Sequence, residues 1–186
     1  MIFRAIEFAA AAHRGQYRKG TRLPYIIHPL SVARLLIDAG CADHVVTAAL
    51  LHDVLEDTSA TEAEIVSIFG MRVCELVVAV TEPDKLTSWE DRKKHTLEIL
   101  RESDSEVLLV AVADKIDNIR SIREDIAVRG EATWKRFRRG RKDQRWYYES
   151  LSEIFTSRLV AEPGCALAAL LAEEVSLVFG VDDNAR

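Results

Sequence analysis

Apolar residues recur every three to four positions along almost the whole chain, the spacing that gathers them on one side of an α-helix. The opening stretch Met1 to Glu7 carries an acid inside such a repeat, so it reads as an amphipathic helix and not as a signal peptide. Only short apolar runs such as Val77-Val78-Ala79-Val80 suggest a strand, and the pattern predicts an all-α protein. Polar punctuation supplies the boundaries. Thr61-Glu62-Ala63-Glu64 has the spacing of a capping box, Gly70 ends the helix it begins, and Ser88 caps a helix from Trp89 to Arg101. A longer helix from Ser105 to Ala127 sets Leu108, Val112, Ile116 and Ile119 toward a core and Asp114 and Asn118, one turn apart, on another side. Ala166 to Val178 reads as a final packing helix. No linker, repeat or low-complexity segment interrupts the pattern, which predicts one domain over residues 1–181 and a disordered tail over 182–186.

The chain has 186 residues, 48% of them apolar, which suits a single core. No apolar run is long enough to span a bilayer, and the expected location is the cytoplasm. Cys41, Cys74 and Cys165 are odd in number, far apart and set in apolar helices. They read as small buried hydrophobes, not as a disulfide or a thiolate metal site. Lys135, Arg136, Arg138, Arg139, Arg141, Lys142 and Arg145, bordered by Trp134 and Trp146, raise the possibility of nucleic-acid binding. Against it stand a net charge of −5 and the lack of a recognisable nucleic-acid module. The cluster reads instead as a partly solvated rim that attracts an anionic nucleotide, with the tryptophans anchored in the core.

Against this background His52-Asp53, in Ala48-Ala49-Leu50-Leu51-His52-Asp53-Val54-Leu55, stands out. An imidazole and a carboxylate on an otherwise apolar helix are costly near a core unless something charged binds them. His28 and Asp114 are further ligands of the right kind, each beside an apolar helical stretch, and the four are expected to converge on one divalent ion. Nitrogen and hard oxygen donors together suit manganese, iron or zinc better than calcium and leave positions open for water and substrate. Glu56 and Asp57 each lie four residues beyond a member of the doublet, so they are expected on the same helical face, one turn along, where a carboxylate can orient and deprotonate the attacking water. Arg14, Arg18, Lys19 and Arg22 crowd the loop Gly15 to Tyr25, which ends at His28. Their charges are expected to overhang the ion and act on substrate phosphates, with Arg18 and Lys19 foremost.

The segments His13-Arg14-Gly15-Gln16-Tyr17-Arg18-Lys19-Gly20, Pro24-Tyr25-Ile26-Ile27-His28-Pro29, Leu51-His52-Asp53-Val54-Leu55-Glu56-Asp57-Thr58 and Ala113-Asp114-Lys115-Ile116-Asp117-Asn118-Ile119-Arg120 resemble, in this order, the HD superfamily of metal-dependent phosphohydrolases. Within it they are most similar to the hydrolase domain of RelA/SpoT-type enzymes, and the length leaves no room for a synthetase domain, as in a small alarmone hydrolase. The resemblance implies an HD-domain helical bundle that hydrolyses the 3′-pyrophosphate of (p)ppGpp to GDP or GTP. It implies a manganese ion on His28, His52, Asp53 and Asp114, with zinc or iron as alternatives, and Glu56 and Asp57 as the catalytic acids. It further implies nucleotide contacts from Arg18, Lys19 and Asn118, and from Tyr147 to the base or ribose. Another nucleotide as substrate, or a non-catalytic nucleotide-binding module, are the alternatives. Oligomeric state is open. Asp117 departs from the pattern, since the long enzymes commonly carry histidine there, and the Glu82-Pro83-Asp84-Lys85 turn is no close match. Of the remaining histidines, His13 is expected to cap a helix end, and His44 and His95 to lie on the surface without partner acids.

Overall fold

Helices occupy most of the chain, for which the computed structural model describes residues 1–82, 88–137 and 139–180. They run α1 (Ile2–Ala12), α2 (Ile27–Asp38), α3 (Asp43–Leu51), α4 (Val54–Asp57), α5 (Glu62–Phe69), α6 (Met71–Val80), α7 (Trp89–Glu102), α8 (Ser105–Arg129), α9 (Arg141–Arg158) and α10 (Gly164–Phe179). A 3-10 segment, Gly130–Arg136, joins α8 to α9. No strand occurs among the described residues. Tyr17 and Pro24 form one isolated antiparallel bridge across the loop between α1 and α2. The run Val77–Val80 closes α6. The expected tail 182–186 lies outside the described residues, as do Arg138 and the Pro83, Asp84 and Lys85 of the turn after Glu82.

Helix α8 is the axis of the bundle, with α2, α3, α6, α9 and α10 packed on it. Asp104 caps its start by accepting from the Val107 N–H at 2.9 Å, and Gly130, at φ 55°, ends it in a conformation that side chains rarely adopt. Its first half is buried on several sides, through Val107, Leu108, Val110, Ala111, Val112 and Ala113, so Asp114 is carried into the interior by a helix that cannot turn it outward. Glu174 of α10, also buried, is held by Arg120 and Arg123 of α8 at 2.8 Å each. Pro29 sits in the first turn of α2, where its missing N–H falls among donors that have no intrahelical partner, and the helix can begin with His28 on its inner side. The capping box at Thr61 is formed on both sides.

Four expectations change. The helix carrying His52-Asp53 is interrupted at the doublet, α3 ending at Leu51 and α4 beginning at Val54. The His52 Nδ1 lies 2.7 Å from the Ala49 carbonyl, the acceptor that an unbroken helix would give to the Asp53 N–H. Only Cys74 is buried; Cys41 and Cys165 are partly exposed, and all three are free thiols. His44 has a partner acid after all, Glu106 of α8 at 2.8 Å, which lies too far along the sequence for local spacing to reveal, and His95 stands 3.9 Å from Glu98, one turn on in α7. Trp134 is buried, but Trp146 remains 37% exposed because it packs on the rim, against Trp89 and Tyr147.

Candidate functional site

The four expected ligands come together from three places: the start of α2, the break between α3 and α4, and the middle of α8. His28 Nε2 and His52 Nε2 are 3.2 Å apart. Asp114 Oδ1 lies 3.1 Å from the first and 3.6 Å from the second, and Asp53 Oδ2 lies 3.5 and 3.0 Å from the same two atoms. Donors about 2.0–2.2 Å from a shared ion are separated by about 3.0–3.6 Å in octahedral or tetrahedral arrangements. The spacing of His28, His52 and Asp114 therefore fits one ion, and their donor atoms form a set within 4.8 Å. Asp53 touches both imidazoles but lies outside that set.

Each donor is oriented by a further contact. The Ala49 carbonyl accepts from His52 Nδ1, leaving Nε2 for the cluster. Tyr25 donates its hydroxyl to Asp53 Oδ2 at 2.6 Å, and burial and that carboxylate push the phenol far up, so it stays a donor. Asp114 accepts from Asn118 Nδ2 at 2.6 Å and pairs with Lys115 at 2.7 Å. Asp117 Oδ2 lies 2.6 Å from His28 Nδ1. The opposed charges shift one another. Burial pushes the His52 imidazole down, but Asp53 and Asp114 outweigh it and hold His52 well above its ordinary value. His28 is raised likewise against burial, by Asp114 and Asp117. Burial would raise the two carboxyls, yet the His52 charge lowers Asp53, and Lys115 with the two imidazoles lowers Asp114.

Glu56 shares a cavity wall with His52, Asp53, Asp114, Lys115 and Glu82, in front of an apolar back made by Ala79, Ile99 and Val110. Asp57 is tied differently: Gln16 donates its amide to the Asp57 carbonyl at 2.7 Å, while His13 Nδ1 lies 2.8 Å from Gln16 Oε1. His13 does cap α1, as expected, and it is buried against the Tyr25 ring. A second cavity is lined by Arg18, Lys19, Asn118, Ser121, Phe137 and Tyr148. Arg18 pairs with Asp117, donates to Asn118 Oδ1 at 3.0 Å and stands 3.1 Å from His28 Nδ1, so its charge also reaches the ligand cluster. Tyr147, expected at the nucleotide, is only 4% exposed beneath Trp89, Tyr148 and Lys93, and burial pushes its hydroxyl up to about 12. Much of the basic cluster is paired with acids: Arg136 with Asp125, Arg139 with Glu90, Arg141 with Glu131 and Arg145 with Glu149.

Sequence reasoning missed the orienting roles of Tyr25, Lys115, Asp117 and Gln16. Tyr25 and Asp117 offered a signal, the first three residues before His28 and the second three after Asp114, distances that return a side chain to the same face of a turn or helix. Gln16 and Asp57 are too far apart in sequence to have been paired.

The family model described as HD domain matches residues 5–144. A guanosine-3′,5′-bis(diphosphate) 3′-pyrophosphohydrolase of Aquifex aeolicus is 41% identical over 123 residues, 65% of this chain but 18% of that protein. Proteins of the same name called MESH1 are nearer in length. The one from Drosophila melanogaster is 37% identical over 137 residues, 72% of this chain and 74% of that protein; the one from Mus musculus is 44% identical over 65% of this chain and 69% of its own. The crystal structure of lmo0812 from Listeria monocytogenes EGD-e superposes with a TM-score of 0.73 at 38% identity, covering 82% of this chain and 99% of that one. A metazoan ortholog of SpoT, described as hydrolysing ppGpp, gives 0.74 at 30% identity over 93% and 92%.

Proposed function

This chain belongs to the HD domain family, and from that premise we propose that it hydrolyses the 3′-pyrophosphate of a guanosine alarmone, (p)ppGpp, to GDP or GTP and pyrophosphate in the cytoplasm. The observation that carries the proposal is the convergence of His28, His52, Asp53 and Asp114 at 3.0–3.6 Å beside an acid-bearing cavity on one side and a cation-bearing cavity on the other. The names of the relatives choose the substrate within that chemistry.

On this reading the four donors would hold one divalent ion, manganese first among the candidates, which would supply Lewis-acid charge to the phosphate and acidify the attacking water. Glu56 takes the proton from that water, and Asp57 helps to orient it. Lys115 and Asn118 hold Asp114, and Tyr25 holds Asp53, so the donors keep their places while phosphate charge moves. Arg18 and Lys19 bind the nucleotide along the second cavity. Asn118 lines that cavity with its carboxamide already engaged by Asp114 and Arg18, so its contact to the nucleotide runs through Arg18 as much as through itself. Tyr148, as buried as Tyr147, lines the second cavity where Tyr147 does not, and the two rings meet edge to face.

The test is to strip the protein of metal, incubate it with a nucleotide panel with and without manganese, and separate the products by chromatography. Manganese-dependent conversion of ppGpp to GDP and pyrophosphate is the expected result. Release of monophosphate, turnover of a different nucleotide only, or binding without turnover would overturn the substrate, the reaction or the enzyme reading respectively.

A further inference from the structure

We infer that Asp117 is a positioning residue that links nucleotide contact at Arg18 to retention of the divalent ion, through the chain Arg18, Asp117, His28. The inference rests on the function proposed above and adds a coupling between its two halves. His28 Nδ1 and Asp117 Oδ2 are 2.6 Å apart, so the ring donates from Nδ1 and presents its Nε2 lone pair to the other three donors. A carboxylate in this place fixes the tautomer and raises the basicity of a ligating imidazole.

What makes this contact adjustable is that the same Oδ2 also receives the Arg18 guanidinium. Arg18 Nη2 and His28 Nδ1 face each other at 3.1 Å. Both are donors when the imidazole donates its Nδ1–H to Asp117, so the shared oxygen is what keeps them together. The Arg18 and Asp117 side chains are each 17% exposed, shielded enough for the pairing to matter. Arg18 thus withholds part of the Asp117 charge from His28. It also lines the cavity assigned to the nucleotide, together with Lys19 and Asn118. A phosphate or base that draws Arg18 toward itself leaves the full carboxylate charge on His28 and strengthens that imidazole as a donor. The ion is then held more tightly with nucleotide bound than without, and by thermodynamic reciprocity the ion strengthens nucleotide binding. The residue before Asn118 therefore sets the coupling, at the position where this chain departs from the pattern it otherwise resembles.

The experiment is a manganese titration of the full chain without nucleotide, counting free ion by electron paramagnetic resonance, with thermal melts as the folding control. Asp117→Asn keeps an acceptor for His28 but removes the charge, and is expected to weaken manganese about 10-fold. Asp117→Ala is expected to weaken it by about 10- to 100-fold, the usual cost of losing such an outer contact. Arg18→Gln is expected to act in the opposite direction, tightening manganese about 3-fold in the parent and leaving it unchanged in Asp117→Asn. Manganese affinity within 2-fold of the parent in Asp117→Asn, which is nearly isosteric and serves if Asp117→Ala does not fold, would overturn the inference, as would an equal effect of Arg18→Gln in both backgrounds. In the parent, the manganese concentration needed for half-maximal ppGpp turnover is expected to fall as ppGpp rises, and not to fall in Asp117→Asn. The titrations need no turnover, so a protein that binds manganese as described yet leaves ppGpp intact would refute the proposed reaction and not the role of Asp117 at His28.

Discussion

Glu56 and Asp57 are neighbours with different surroundings, and the proposed division of their work can be tested on that difference. Glu56 shares the cavity of His52, Asp53 and Asp114, whereas Asp57 is at the end of α4 with its carbonyl held by Gln16. Glu56→Gln keeps the shape and removes the base. It is expected to retain metal and nucleotide affinity while kcat falls by about 10² to 10⁴, the usual weight of a positioned general base; single-turnover rates and metal content measured on the same sample check this. A near-normal kcat would move the base to Asp57 or to the substrate. Asp114→Ala has a different signature, because it removes a donor and leaves the half-buried Lys115 charge without its partner. Metal, activity and stability are all expected to fall, and full metal stoichiometry in the variant would reject Asp114 as a ligand.

Among the elements, the contact that matters most joins the cation loop to α4. Gln16, oriented by His13, donates to the Asp57 carbonyl, and the same loop carries Arg18 to Asp117 and Tyr25 to Asp53. Loop and acids are therefore placed by one unit. Replacing Gln16 by Met preserves bulk and removes the donor. The expected outcome is a loss of roughly 10-fold in kcat, equivalent to about 1.4 kcal/mol, with metal content unchanged. Faster amide exchange in residues 54–58 would accompany it. If kcat holds and only KM rises, Gln16 orders the cation loop without placing the acids.

For the whole molecule, the cluster of opposing charges makes stability depend on metal and pH together. In metal-free protein the folded-state values of His28 and His52 are raised, so the stability they contribute is complete below their unfolded value near 6.5 and is lost as pH rises through the folded values. The depressed Asp53 and Asp114 act in a separate window. Their contribution is present above the unfolded carboxylate value and is lost only as pH falls through the folded one. Melting temperature without metal is therefore expected to fall as pH rises above about 6.5. Manganese, which competes with protons for the same atoms, is expected to stabilise increasingly over that range, by about 2.7 kcal/mol at a hundred times its Kd. A flat profile in chelator, or equal stabilisation at both ends, would mean that the four side chains do not share one cation.

The periodicity was enough to determine an all-α chain, because each helix must turn an apolar side inward whatever its partner. Local spacing was enough for the Thr61 capping box and for setting Asp114 and Asn118 on one face of α8, one turn apart. Residue chemistry was enough to nominate His28, His52, Asp53 and Asp114, since few contexts tolerate such groups among apolar neighbours. The break at His52-Asp53 was not legible, because it depends on a side chain competing for a backbone carbonyl. Nor was the pairing of His44 with Glu106, or of Gln16 with Asp57, because those partners meet only when separate helices pack. Tyr147 and Tyr148 are adjacent, chemically alike and both buried, and only the seating of α9 against α7, α8 and α10 turned Tyr148 alone toward the second cavity. Sequence determines which atoms are costly to bury alone. The tertiary structure decided which atoms share that burial, and with it the reach of Arg18 to His28 through Asp117.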